Sequence, residues 1–251
     1  MSDKFTAFAK LHVPGHPLIL FNVWDAGSAA AVERAGAKAL ATGSWSVAAA
    51  QGFHDAEGLP IELALANAVR IVAATALPVT IDFEGGYAAD PGRCAANLAA
   101  LAETGAIGCN FEDQQIGAPV RSLHPVADQA ARIAAGRAAV GPGFFINART
   151  DIFLMAPADA HDKAMADAAI ARAHAYAEAG ASGLFVPGLI DLALLERVAK
   201  ASPLPVNFMA FPGAPDARAV AGTGVARISH GPAPYRLAMK ALEEAARAAF
   251  A

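Results

Sequence analysis

Basic clusters, long apolar runs and paired cysteines are all missing from this chain. Across 251 residues, 19 Lys and Arg stand against 23 Asp and Glu, for a net charge of −4. No Lys/Arg cluster offers the electrostatic footprint of a nucleic-acid surface. Hydrophobic residues make up 55% of the chain, much of it alanine, yet no run reaches the roughly 18 apolar residues of a membrane span. The opening MSDKFTAFAKLHVPGHP carries early charges and no apolar h-region, which argues against a secretory signal. Cys94 and Cys109 lack CxxC spacing and suggest no disulfide framework. A soluble cytoplasmic protein with neither nucleic-acid nor membrane partners is expected.

What the chain does have is one pattern repeated without repetition of sequence. Strand-like runs stand at LILFN (18–22), KALAT (38–42), PVTID (78–82), IGCNF (107–111), FFINA (144–148), GLFVP (183–187), PVNFM (205–209) and ARISH (226–230). Alanine-rich stretches of helical spacing lie between them, among them 61–75, 91–103, 125–139, 159–179 and 191–201, and 232–249 follows the last run. Ala35-Gly36, Thr104-Gly105 and Ala179-Gly180 precede strands, as helix C-caps do. Eight alternations without a linker predict a single (β/α)8 barrel over 1–251. A doubly wound sheet competes, but no GxGxxG follows the first strand.

Barrel chemistry sits at the C-terminal strand ends, and there the scarce polar residues collect. In order, the ends supply Asn22 and Asp25; Ser44, Trp45 and Ser46, with His54 and Asp55 further on; Asp82 and Glu84; Glu112, Asp113 and Gln114; Asn147, Arg149 and Asp151; Asn207; and Ser229 with His230. A lone carboxylate after a strand is ordinarily a helix cap, the role expected of Asp90 before Pro91; Asp113 reads equally well as a solvated loop charge and Arg149 as a neutralising neighbour. Several acids converging on one mouth, however, repel one another unless a cation intervenes. Oxygen ligands with few histidines suit Mg2+ or Mn2+ over zinc. Asp82 is then the expected metal ligand, Glu84 orients metal-bound water, and Gly85-Gly86 let backbone approach the substrate.

These stretches resemble the phosphoenolpyruvate mutase/isocitrate lyase superfamily over nearly the whole chain. The likeness rests on FNVWDAGSA, GSWSVAAAQGFHD, DFEGGYAADP, FEDQ and NARTD in this order. It implies a Mg2+-dependent barrel that makes or breaks C–C or P–C bonds of small 2-oxo or 2-hydroxy carboxylates through an enolate-like species. Carried over, Asp82 is the direct metal ligand, while Asp55, Glu84 and Glu112 hold metal-bound water; Glu84 stands where Asp is more usual. Ser44 and Trp45, with the following amides from Ser46, would grip the substrate carboxylate, and Arg149 would meet developing negative charge. The resemblance also implies a dimer of dimers with an exchanged last helix, and Leu237, Met239, Leu242 and Phe250 give helix 232–249 a suitable apolar face.

Departures narrow the branch. Isocitrate and methylisocitrate lyases carry a Lys-Lys/Arg-Cys-Gly-His loop after strand 4, where this chain has EDQQIGAPVRSLHP and no cysteine. The mutases and phosphonopyruvate hydrolases place Asn or Thr near the Ser-Leu-His, where Arg121 stands here. An oxaloacetate decarboxylase-like lyase is the remaining expectation, with P–C enzymes and a methylisocitrate lyase-like enzyme as alternatives and a non-enzymatic binding barrel behind them. Decarboxylation needs only an electron sink; retro-aldol cleavage needs a base, for which His124 and His230 are candidates. Arg121 and Asn207 complete the expected substrate contacts.

Overall fold

The structure, a computed structural model, describes residues 3–251. Its strands are β1 Leu18–Leu20, β2 Leu40–Ala41, β3 Val79–Asp82, β4 Gly108–Glu112, β5 Phe145–Arg149, β6 Gly183–Phe185, β7 Val206–Met209 and β8 Arg227–Ser229. Each falls inside, or within one residue of, its sequence expectation. The helices are α1 Asp3–Lys10, α2 Ala26–Arg34, α3 Ser44–Ala50, α4 Ile61–Ala73, α5 Pro91–Glu103, α6 Val126–Val140, α7 Lys163–Glu178, α8 Leu192–Ala201, α9 Ala217–Gly222 and α10 Ala233–Phe250. All strands pair in parallel in one sheet of order β1-β8-β7-β6-β5-β4-β3-β2. A parallel bridge between Val23 and Thr42, with Val23 N–H donating to the Ala41 carbonyl at 2.8 Å, joins the two ends. The fold is a (β/α)8 barrel.

Local chemistry explains the punctuation. Asp25, Asp90, Asp162, Asp191 and Asp216 cap α2, α5, α7, α8 and α9, each accepting a backbone N–H in the first turn. Each such cap stabilises by about 1 kcal/mol, and Asp90 plays the role expected of it. Gly36, Gly105 and Gly180 follow their helices at φ +98°, +88° and +95°, the left-handed turn glycine enters without a Cβ penalty.

Strand side chains alternate between two environments. Ile81, Cys109, Phe111, Ile146, Ala148, Leu184, Phe208 and Ile228 pack into the large core between barrel and helices. The residues between them, Asp82, Asn110, Glu112, Asn147, Arg149, Asn207 and Arg227, therefore line the barrel. At the bottom a smaller cluster, including Leu18, Leu20, Ala39 and Phe145, is closed by Phe8 of α1. The His12 ring stacks on Phe145, with centroids 4.5 Å apart, and its Nδ1 lies 2.9 Å from the Phe8 carbonyl.

Burial, reinforced by Arg227, pushes His12 down to about 3, and the Phe8 carbonyl only partly opposes this. The folded state thus refuses a proton that the unfolded chain accepts near pH 6.5, so stability falls as pH drops below about 6.5. Between pH 7 and pH 5 this site should cost about 1–2 kcal/mol. His12→Phe, which keeps the stack, should lose that much less over the interval in urea unfolding; identical losses would contradict the assignment.

Candidate active site

The mouth is built around Asp82. Its Oδ1 accepts from Asn110 Nδ2 at 3.2 Å, its Oδ2 accepts from the Ser44 backbone N–H at 3.0 Å, and its own N–H donates to Thr42 Oγ1 at 2.9 Å. The carboxylate is thereby fixed in direction, and each oxygen keeps accepting capacity. A cavity of about 20 Å³ lies beside it, lined by Thr42, Ser44, Asn67, Asp82, Glu84 and Tyr87, large enough for one water molecule.

Glu84 and the loop 54–58 hold each other. Glu57 N–H donates to Glu84 Oε2 at 2.7 Å, and Tyr87 N–H donates to Glu57 Oε1 at 2.7 Å. Ala56, Glu57, Glu84 and Tyr87 all have φ between +50° and +62°, a region costly for non-glycine residues that persists where surroundings over-determine it. The expectation for Gly85-Gly86 is corrected here. A Cβ on Gly86 would meet Cys94 Sγ at 2.6 Å, and one on Gly85 would meet Glu57 Oε1 and Ile116 Cδ1 at 3.0 Å. Both positions are thus held to glycine by close protein neighbours.

On the facing strands, Arg149 Nη1 lies 2.8 Å from Glu112 Oε2. Its Nε and Nη2 grip both oxygens of Asp151 at 2.5 and 2.9 Å, a bidentate pairing that sets the guanidinium plane. Arg149 is thus more than a neutraliser of one neighbour. Asp113 is fully buried, contrary to the solvated reading. It accepts from Tyr176 Oη at 2.8 Å, from Arg172 at 3.0 Å and from the Asp151 N–H at 3.0 Å, tying β4 to the end of β5.

The acids strain against one another. Burial, with Asp55 and then Asp82 adding to it, pushes Glu84 up to about 8. Asp55 is raised by burial and then by Asp82, against a hydrogen bond from Ser44. Burial raises Glu112, opposed by Arg149. For Arg149 burial works downward, but Asp151 and Glu112 outweigh it and hold it above the usual arginine range. Buried carboxyls raised by desolvation and, for Asp55 and Glu84, by one another form a donor set that a divalent ion would suit. Among the described residues, no three His, Cys, Asp or Glu side chains are grouped to hold a metal by themselves. Asp82 with hydrated partners suits Mg2+ or Mn2+, which keep much of their water.

Other expected residues divide. Ser44 and Trp45 open α3 beside Asp82, Trp45 and Trp24 flank Tyr235 with centroids 5.9 and 5.1 Å away, and Arg236 lies 4.6 Å over the Trp45 ring. Ser46 and Asn207 are buried, with Ser46 Oγ and Asn207 Nδ2 unpartnered. Arg121 donates to Gln114 Oε1 and the Leu154 carbonyl, both at 2.9 Å, and lies 3.7 Å from Asp151, so its loop reaches over the Arg149 side.

The two histidines take different places. His230 is turned outward, its ring 5.2 Å from Phe21 and Nδ1 3.2 Å from the Leu20 carbonyl. That follows from period 2, because Arg227 and Ser229 face inward. His124 lines a 460 Å³ groove with Glu57, Tyr87, Gln115 and Arg132, and burial and then Arg132 lower its pKa. Cys109 is fully buried, with its thiol raised by burial. Sequence reasoning passed over Glu57 and Asn110 as parts of this site.

Residues 8–250 match the phosphoenolpyruvate phosphomutase family model. The chain belongs to that family. A Burkholderia cenocepacia structure provisionally described as a phosphonomutase is 51% identical, with 98% of each chain covered and a TM-score of 0.94. The 2-methylisocitrate lyase of Escherichia coli is 30% identical, over 78% of this chain and 69% of its own. The oxaloacetate decarboxylase of Pseudomonas aeruginosa is 31% identical, over 72% and 62%. This phosphoenolpyruvate phosphomutase-family protein is therefore an enzyme of the phosphoenolpyruvate mutase/isocitrate lyase superfamily, whose members are in general divalent-metal dependent. Among its described residues, no helix is long and apolar enough to cross a membrane.

Proposed function

We propose that this enzyme is a Mg2+- or Mn2+-dependent lyase that cleaves a C–C bond of a small 2-oxo carboxylate, decarboxylation of a diacid such as oxaloacetate being the favoured reaction. The observation that carries this is Arg149, locked between Glu112 and Asp151 at the rim of a ring of under-compensated acids around Asp82. Asp82, with Asp55, Glu84 and Glu112 around it, would hold the metal, which when bound supplies Lewis-acid polarisation of the 2-oxo group. As the bond to the leaving carboxylate breaks, its electron pair moves into the carbonyl. The remaining N–H groups of Arg149 would receive that charge without reorganising, which is the largest common term in catalysis. The Ser44–Ser46 turn would hold the C1 carboxylate.

Decarboxylation is favoured over retro-aldol cleavage because it needs no base, whereas His230 turns to Phe21 and the Leu20 carbonyl. A panel of oxaloacetate, 2-hydroxy diacids and phosphonopyruvate, assayed with Mg2+ and with EDTA, tests the reading. Oxaloacetate should be consumed with Mg2+ only; turnover insensitive to EDTA, or consumption of phosphonopyruvate alone, would overturn it.

Arg121 supports a diacid. It is half-exposed beside Asp151, so its guanidinium can take a distal carboxylate when the loop 114–124 covers the mouth. Arg121→Ala should raise KM for a C4 diacid about tenfold and leave a monocarboxylate within about twofold. Equal effects on both would refute this selectivity.

Assembly completes the picture. Of α10's 18 residues only Pro234 is buried, with Leu237, Leu242 and Phe250 more than 60% exposed. The outer face of β1, where a barrel helix would sit, leaves Ile19 and Phe21 exposed over a 660 Å³ groove that also includes Leu11, Val13 and Val32. A helix without a barrel and a barrel face without a helix fit exchange with a second copy. Leu237→Glu with Leu242→Glu should give monomers by light scattering at micromolar concentration. Wild type that is itself monomeric would reject the exchange.

A further inference from the structure

Arg227 is the least explicable side chain in the barrel. It is 1% exposed, lies inside the strands, and donates only through Nη2, to Asn110 Oδ1 at 3.2 Å. Its Nε and Nη1 have no partner. Burying a guanidinium so poorly compensated costs several kcal/mol, and an apolar residue of similar size would serve stability better. Its environment therefore points to another use.

That use lies in the polarity of one amide. Asn110 Oδ1 accepts from Arg227 and also from Asn147 Nδ2 at 2.8 Å, while its Nδ2 donates to Asp82 Oδ1. Asn147 could present either end of its amide, but an arginine offers donors alone. Facing Arg227, Asn110 must show its oxygen, which turns its NH2 toward Asp82. With the Ser44 N–H on the other oxygen, Asp82 is gripped at both ends. Without Arg227, Asn110 is free to reverse and set its oxygen against the carboxylate.

We propose that Arg227, three strands away from Asp82 around the closed barrel and not ion-paired with it, is a positioning residue that fixes the Asn110 amide and through it the metal-binding face of Asp82. This rests on Asp82 being the metal ligand, as proposed above. Partners that orient a ligating carboxylate typically change metal affinity 10- to 100-fold when removed.

The test uses metal-stripped full-length protein, titrated calorimetrically with Mg2+ and Mn2+, and thermal unfolding in EDTA. Arg227→Met should weaken metal binding about tenfold or more without lowering Tm in EDTA, since a merely structural residue would do the reverse. Arg227→Lys, still a donor without acceptors, should stay within about threefold of wild type. Asn110→Ala should lose affinity as Arg227→Met does, and it serves if that variant fails to fold. Unchanged affinity in a folded Arg227→Met, unchanged affinity in Asn110→Ala, or equal loss in Lys and Met, would overturn the proposal. Asp82→Ala separates the two ideas: if it binds metal as wild type does, the assignment of Asp82 is what has failed.

Discussion

Asp82→Ala should abolish metal-dependent turnover, with a loss of about 10³-fold or more, and remove calorimetric binding of Mg2+. Asp82 is where Ser44, Asn110 and Thr42 converge, which fixes both its carboxylate and its backbone at the mouth. The fold should survive. Asp82 is among the charges that raise Asp55 and Glu84, so its removal relieves repulsion and offsets the hydrogen bonds given up. Metal-free Tm should therefore stay close to wild type. A variant that keeps wild-type activity, or one that is globally unfolded, would show that the residue is not what its surroundings suggest.

Arg149→Met should have the largest combined effect. It strips the cation from Glu112 and Asp151, both deeply buried, and breaking a buried pair by removing one partner costs about 3–5 kcal/mol. It also removes the donors expected to meet the developing charge, a further loss of about 10²- to 10³-fold in kcat. Lysine is a poor substitute, because an ammonium cannot span both oxygens of Asp151 as the guanidinium fork does. Arg149→Lys should thus recover part of the stability in urea unfolding and little of the turnover. A methionine variant within 1 kcal/mol of wild type, or one retaining more than a tenth of its activity, would count against this role.

The barrel was legible because each strand is a short apolar run entered from a glycine or proline turn, and each exit carries the polar residues. Asp82, Glu84, Glu112 and Arg149 could be read for the same reason: they end runs. What escaped lay inside runs or depended on direction. Asn110 sits in IGCNF, where a polar residue among apolar ones is the mark of an inward position; Asn147 and Asn207, which were legible, repeat it. His230 was misread although period 2 places it opposite Ser229. Asp113 looked like a loop charge because its partners, Arg172 and Tyr176, are some sixty residues downstream in α7. Glu57 gave no sequence signal, since its role depends on a backbone turn with φ near +58°.

The aromatic cluster has an optical consequence. Trp24 and Trp45 are the chain's two tryptophans, and both stand against Tyr235 at the start of α10. Tryptophan emission therefore originates wholly at the mouth. Fluorescence will follow ligand entry, or a shift of α10 at its root, without any introduced dye. Loosening of the α1 plug at the far end of the barrel will pass unseen unless the mouth opens with it.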